Sequence, residues 1–224
     1  MFYKLSPSDF PYLYEECKFC FCLKVKHGIS QPHMPMPGVF SAINSHIQGS
    51  LVGKNLKGLS SDLPDGVVEN QEGWIDSMIV PETSVFIKGK YDLLVNNPDG
   101  THTLVDLKIS QPDESKIEKY KTQLAAYKFA LENPAFGEPK KVSKMGVIAI
   151  NPEEITFPGE TVIFKAKPQW FEIAEDMDRF YAFISEISKL IEGPVPPENP
   201  DICKWCYYRI CTQKPENSAQ ELPF

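Results

Sequence analysis

The stretch HTLVDLKISQ, residues 102–111, sets Asp106 and Lys108 two positions apart inside an apolar run. In a strand, positions i and i+2 share a face, so acid and base would stand side by side. Charge in such surroundings is costly unless it is paired or used. A second acid, Asp92, lies in GKYDLLV on the preceding apolar run. If the two runs pair, Asp92 and Asp106 lie on neighbouring strands. Carboxylates that close repel unless one stays protonated or a cation joins them. Mg²⁺ or Mn²⁺ meets that need, because these ions take few protein carboxylates and complete their shell with water and phosphate. Such an ion would polarise a phosphodiester and acidify a water. Lys108 would orient or deprotonate that water, or neutralise charge as the bond breaks. The ordinary alternative is an Asp-x-Lys ion pair on the surface. Three features argue for chemistry: the apolar LVDLK segment, Gly89 three residues before Asp92, and Gln123 and Tyr127 at i, i+4 downstream. On a helix that last spacing puts both side chains on one face.

A second group of reactive side chains sits at the two ends. Cys17, Cys20 and Cys22 lie near the start, Cys203, Cys206 and Cys211 near the finish, and no cysteine lies between. Clustering of this kind suggests a metal or cluster site rather than disulfides in an intracellular chain. Cys17-x2-Cys20 with Cys203-x2-Cys206 is a four-cysteine zinc pattern.

The elements that must position these groups follow from periodicity. A helix is expected over residues 7–27, after Ser8 and Asp9, and another from about Val39 to Leu56, with Phe40, Ile43, Ile47 and Leu51 at helical spacing. Residues 78–97 are rich in β-branched and aromatic side chains, and Pro98-Asp99-Gly100 is a turn signal. Phe86–Val95 and Thr103–Ile109 are therefore read as an antiparallel hairpin. From Lys116 the period changes to a helix marked by Ile117, Tyr120, Leu124, Tyr127 and Leu131, ending before Asn133-Pro134. Two short strands are expected at 142–150 and 161–167. A long helix from about Pro168 to Ile191 would turn Phe171, Ala174, Met177, Tyr181, Ile184 and Ile191 inward. The proline-rich residues 193–201 then deliver the last cysteines in a loop. This order predicts an α/β fold, a mixed sheet with helices on its faces.

Size and charge bound the rest. At 224 residues the chain is long enough for one well-buried domain. We read residues 1–214 as that domain: a helical N-terminal region over residues 1–60, a sheet and catalytic core over 61–165, and a C-terminal helix and cysteine segment over 166–214, with 215–224 a tail. No apolar run of about 18 residues is present, and the start lacks the basic and apolar regions of a signal peptide; a cytoplasmic protein without membrane contact is expected. The net charge of −7 argues against general attraction to nucleic acid. Metal-holding carboxylates contribute to that charge. Lys116, Lys119, Lys121, Lys128, Lys140, Lys141 and Lys144 form either a local track for a strand or a solvated face.

Gly-x-x-Asp, a strand ending Val-Asp-Leu-Lys-Ile-Ser, and a helix carrying Gln-x3-Tyr, in this order, resemble the PD-(D/E)XK nucleases of the RecB type. The opening LSPSDFPYLYEECKFCFCLKVKHG and the closing Cys-x2-Cys-x4-Cys are similar to the iron–sulfur subset. That subset includes AddB-type helicase–nucleases and the small CRISPR adaptation exonucleases (the fourth Cas protein). The resemblance spans nearly the whole chain. It implies a restriction-endonuclease-like mixed sheet flanked by helices, its two chain ends joined at a cysteine-ligated metal site. Asp92 and Asp106 become Mg²⁺ or Mn²⁺ ligands, Lys108 the catalytic lysine, and Gln123 and Tyr127 its supporting pair. His46 is the candidate for the family's helical histidine, although Ala42 stands where a glycine is usual; Glu69 and Glu72 are further acid candidates. Cys17, Cys203, Cys206 and Cys211 would hold a [4Fe–4S] cluster as a staple between the chain ends, with Zn²⁺ the rival. The implied activity is a metal-dependent deoxyribonuclease, an exonuclease on single-stranded ends, working beside CRISPR adaptation or helicase proteins. The alternative is a non-catalytic nucleic-acid-binding subunit of such a complex, with zinc at the cysteines.

Overall fold

The computed structural model describes residues 1–32, 37–111 and 117–213. Lys116, the start of its expected helix and the tail 215–224 lie outside these residues. A six-stranded mixed sheet carries the molecule. It contains β1 (Tyr3–Leu5), β2 (Val67–Ile79), β3 (Val85–Asn96), β4 (His102–Ile109), β5 (Val142–Ile150) and β8 (Gln169–Glu172). A separate hairpin pairs β6 (Pro152–Thr156) with β7 (Ile163–Ala166). The helices are α1 (Lys18–His27), α2 (Gly38–Leu51), α3 (Lys121–Glu132), α4 (Met177–Glu192) and α5 (Lys204–Gln213).

The expected hairpin is the spine. β3 and β4 pair antiparallel from Leu93↔Val105 to Asn96↔His102. Gly100 takes φ 79° in the connection, a left-handed conformation that glycine adopts without penalty. β4 then runs parallel to β5 over its whole length. Alternation divides the side chains. Leu104 joins one core with Leu124, Ala126 and Phe180, whereas Val105 and Leu107 join a second with Leu56, Val68 and Ile148. The first core lies under α3 and α4 and the second under α2, whose Ile47 and Leu51 pack on it. Asp106 and Lys108 share parity with Leu104 and so face the α3 side.

β3 also sets the position of a gap. β2 pairs with β3 from Ile79↔Phe86 to Val67↔Asn96 and takes one whole edge. The other edge is divided. β1 lies parallel against Val85–Ile87, and β4 against Leu93–Asn96. Between these contacts, among the described residues, no strand pairs with residues 88–92 on that edge, and Asp92 sits at the end of the opening.

Several elements depart from the sequence expectation. The first helix is broken: a π-helical turn over Phe10–Tyr14 precedes α1, which starts only after Cys17. Pro11 cannot donate to a regular helical ladder, and the Cys17 sulfur caps α1 by accepting from the Cys20 N–H. Residues 67–79, unassigned from periodicity, form a long edge strand. The expected 168–191 helix is β8 followed by α4, which starts after Asp176 caps the Arg179 N–H at 2.9 Å. Accordingly α4 buries Phe180, Ile184, Ile187 and Ile191, while Tyr181 is 38% exposed. Each such burial contributes about 1.5–3 kcal/mol. Gly146 on β5 explains the close approach of β8: a Cβ there would collide with the Phe171 carbonyl oxygen. The cysteine segment after the prolines is helix α5, not a loop.

Candidate active site and cysteine site

The opening in the sheet is the mouth of a cleft of about 450 Å³ lined by Asp92, Asp106, Lys108, Gln123 and Tyr127 together with Lys4, Ser6, Ser8 and Lys90. Five side chains predicted to act together are thus gathered. The β3–β4 ladder ends at Leu93↔Val105, and the Asp92 carboxylate takes over the next donor: the Leu107 N–H donates to Asp92 Oδ2 at 2.8 Å. This bond ties one acid to the strand bearing the other. Gln123 Nε2 donates to Asp106 Oδ1 at 3.2 Å, so α3 fixes the orientation of Asp106. Gly89 allows the walls to close, because a Cβ there would meet Pro7 at 3.1 Å and Tyr127 at 3.4 Å. The glycine of Gly-x-x-Asp is therefore a packing requirement of the cleft.

Electrostatics sets Asp106 apart from an ordinary surface acid. It is 4% exposed. Burial pushes its carboxyl up to about 6, with Lys108 pulling down and Asp92 pushing further up. Burial raises Asp92 as well, against the attraction of Lys108. For Lys108 burial works downward, but the carboxylates of Asp106 and Asp92 outweigh it and leave the ammonium raised. Lys108 Nζ stands 2.7 Å from Asp106 Oδ2. Oδ2 is buried, and the Lys108 ammonium is its ion-pair partner. Burial, reinforced by Asp106 and Asp92, raises the Tyr127 hydroxyl. Tyr120, whose hydroxyl pairs with that of Tyr12 at 3.0 Å, has its ring 5.2 Å from Lys108 Nζ. Tyr12 lies in the N-terminal stretch that carries the resemblance and Tyr120 on the apolar face of the expected helix, but no sequence motif points to Lys4; Lys90 carries one local signal, a base two residues before Asp92 on the same strand.

His46 stands elsewhere. It is exposed on α2, the helix on the opposite sheet face, and does not line the cleft. Glu69 pairs with His102 and Lys140, and Glu72 with Lys90. Of the lysine track, Lys128 is a buried structural cation bonded to Glu132 and the Val142 carbonyl. Lys121 pairs with Glu118.

The chain ends meet at a second site. Cys17, Cys20, Cys203 and Cys206 are buried, and their sulfurs all lie within 4.8 Å of one another. Cys17–Cys206, Cys20–Cys203 and Cys20–Cys206 are 3.7, 3.8 and 3.9 Å apart. The structure thus groups Cys20 with the pair of Cys-x2-Cys segments, whereas the resemblance implies Cys211. Cys211 is exposed on α5 and is not one of the four. The reason is helical: Cys206 faces the core, and five residues further on the side chain points away. Burial pushes the Cys206 thiol up to about 11 and raises Cys20 too. Burial also raises Cys203, but backbone N–H groups of Cys206 and Trp205 help to outweigh it and favour the thiolate. Gln31 Nε2 lies 4.0 Å from the Cys203 sulfur. Four buried thiols in contact, none in a disulfide, form a donor set able to bind a metal.

Among the described residues no helix is long and apolar enough to cross a membrane. No curated protein matches the chain, whereas solved structures of similar fold exist. The crystal structure of SSO0001 aligns with a TM-score of 0.53 at 16% sequence identity, covering 92% of this chain and 84% of that one. At that identity the likeness is one of fold. The PD-(D/E)XK nuclease superfamily matches residues 67–212, a span that contains β2–β4, α3 and the whole Asp92, Asp106 and Lys108 constellation. The mixed sheet with its flanking helices is of the restriction-endonuclease-like kind, and the chain belongs to the PD-(D/E)XK nuclease superfamily.

Proposed function

We propose that this protein is a divalent-metal-dependent deoxyribonuclease, acting as an exonuclease on single-stranded ends. One observation carries the reading: Asp106 is buried, sets one carboxylate oxygen 2.7 Å from Lys108, and shares its cleft with Asp92. A hard, oxygen-seeking cation fits this donor set. Asp92 and Asp106 would hold Mg²⁺ or Mn²⁺, which supplies Lewis-acid polarisation of the scissile phosphodiester and an acidified water. Gln123 and the Leu107 N–H hold the two carboxylates in position. Lys108, kept charged by those carboxylates, stabilises the negative charge that builds up as the phosphorus–oxygen bond breaks. The test is hydrolysis of a labelled oligonucleotide with Mg²⁺ or Mn²⁺ by wild type, Asp106→Ala and Lys108→Ala. Equal activity in all three rules out this site, and tight DNA binding without cleavage by wild type favours a non-catalytic subunit. The partners in this reading are CRISPR adaptation proteins or a helicase, to be sought by copurification.

Sulfur spacing favours zinc over the cluster. Around one tetrahedral ion with zinc–sulfur bonds of about 2.3 Å, the sulfurs stand about 3.8 Å apart. Three of the sulfur pairs, at 3.7, 3.8 and 3.9 Å, match. A cubane puts a separate iron under each thiolate, which spreads the sulfurs further. The cysteine site would then be a four-cysteine zinc staple joining α1 to α5. Metal analysis and the visible spectrum of protein purified without oxygen decide: iron with a brown chromophore overturns the zinc assignment.

A further inference from the structure

Beside the catalytic cleft lies a second hollow, of about 590 Å³, and the two share Trp74 and Lys88 in their walls. Trp74 is on β2, paired in register with Lys90, and Asp76 with Lys88. Its indole is 76% exposed. At the far side of the hollow Phe136, in the loop after α3, is 87% exposed. Such exposure of two large aromatic side chains serves no core; neither belongs to either hydrophobic cluster. Lys140 lines the same hollow. The trough therefore runs from Phe136, past Lys140 and Lys88, over Trp74, and on to Lys90 and the Asp92–Asp106 pair.

We propose that this trough is the path of a single nucleic-acid strand, with Trp74 and Phe136 as stacking platforms for unpaired bases. The inference rests on the nuclease reading and extends it to the substrate's approach. Aromatic faces alternating with cations are the recognition chemistry of single strands, since every base has a face to stack and every linkage a phosphate to neutralise. A duplex keeps its bases stacked inside, where neither ring can reach them. Among the described residues the lysines pair with half-exposed acids: Lys88 with Asp76, Lys90 with Glu72 and Lys140 with Glu69. Exposed pairs of this kind are weak, so a phosphate chain can recruit the ammonium groups. Continuity with the cleft gives the trough its direction: a strand stacked on Trp74 delivers its next phosphodiester to the carboxylates.

The test is binding without cleavage. Fluorescein-labelled oligothymidine is titrated with wild type, Trp74→Ala, Trp74→Phe and Phe136→Ala in Ca²⁺ in place of Mg²⁺, and followed by anisotropy; a blunt duplex of equal length is titrated in parallel. Both alanine variants should weaken single-strand binding about 5- to 150-fold, the range for loss of one stacked base. Trp74→Phe should keep most of the affinity, and duplex binding should not change. Circular dichroism confirms that these surface variants fold. Undiminished single-strand affinity in both alanine variants, or equal losses on duplex, overturns the trough. Wild type that cleaves DNA while the alanine variants bind normally removes the trough and leaves the nuclease. Wild type that never cleaves, with the predicted losses in binding, does the reverse.

Discussion

Replacing Asp106 by asparagine should make the metal-free protein more stable while destroying its activity. An aspartate lifted from its ordinary 3.8 to about 6 is ionised at neutral pH against the preference of the fold. The cost is about 3 kcal/mol once the pH is well above 6, at about 1.4 kcal/mol for each pH unit between the two values. The attraction of Lys108 is already counted in that value. Asparagine keeps the shape and can still accept from Gln123, but carries no charge. Because the folded value is raised, Asp106 costs nothing below pH 4, progressively more as the pH climbs to 6, and a constant amount above. Asp92 shifts in the same direction. In chelator at pH 7.5 the variant should therefore melt about 6–12 °C higher than wild type, using about 2–4 °C per kcal/mol for a domain of this size. The gap should close as the pH approaches 4. Adding Mn²⁺ at about a hundredfold excess over its dissociation constant should stabilise wild type by about 2.7 kcal/mol and leave the variant unmoved. Thermal melts over pH 4–8, with and without Mn²⁺, measure all of this. A variant no more stable than wild type at pH 7.5, or a gap that widens toward acid, refutes the electrostatic account of the cleft.

Further expectations follow from the same structure. Cys20→Ser should lose the bound metal and lower the melting temperature, whereas Cys211→Ser should retain both, as read by metal analysis and calorimetry; the opposite pattern restores the cluster ligand set with Cys211. Lys108→Met should remove Mg²⁺-dependent cleavage by at least about a hundredfold, the scale of one preorganised charge at a transition state, while oligonucleotide binding in Ca²⁺ persists. Gly146→Ala should cost about 1–3 kcal/mol or more by chemical denaturation, since its new methyl would run into the Phe171 carbonyl oxygen and push β8 off the sheet.

Local pattern determined much of the cleft that holds Asp92, Asp106 and Lys108. Alternation of apolar residues with a Pro-Asp-Gly turn defined β3 and β4, and the two-residue period alone placed Asp106 and Lys108 on one face. The three-to-four-residue period of α3 placed Gln123 and Tyr127 on one face of that helix. These relations depend on neighbours in the chain, so they survive without knowledge of the fold. Others depend on which distant segments meet. β1 and β4 share one edge of β3, and the opening between them is visible in neither strand. Trp74 lies in a stretch that periodicity leaves unassigned, and it gains a role only when β2 takes its place beside the cleft. Periodicity alone extends the last long helix back through β8, because the helical spacing of Phe171 and Ala174 is local, whereas the strand pairing with β5 that overrides it is not. Choosing among six cysteines required the docking of α5 on α1: helical geometry turns Cys206 inward and Cys211 outward, and only that contact brings Cys20 into the tetrad.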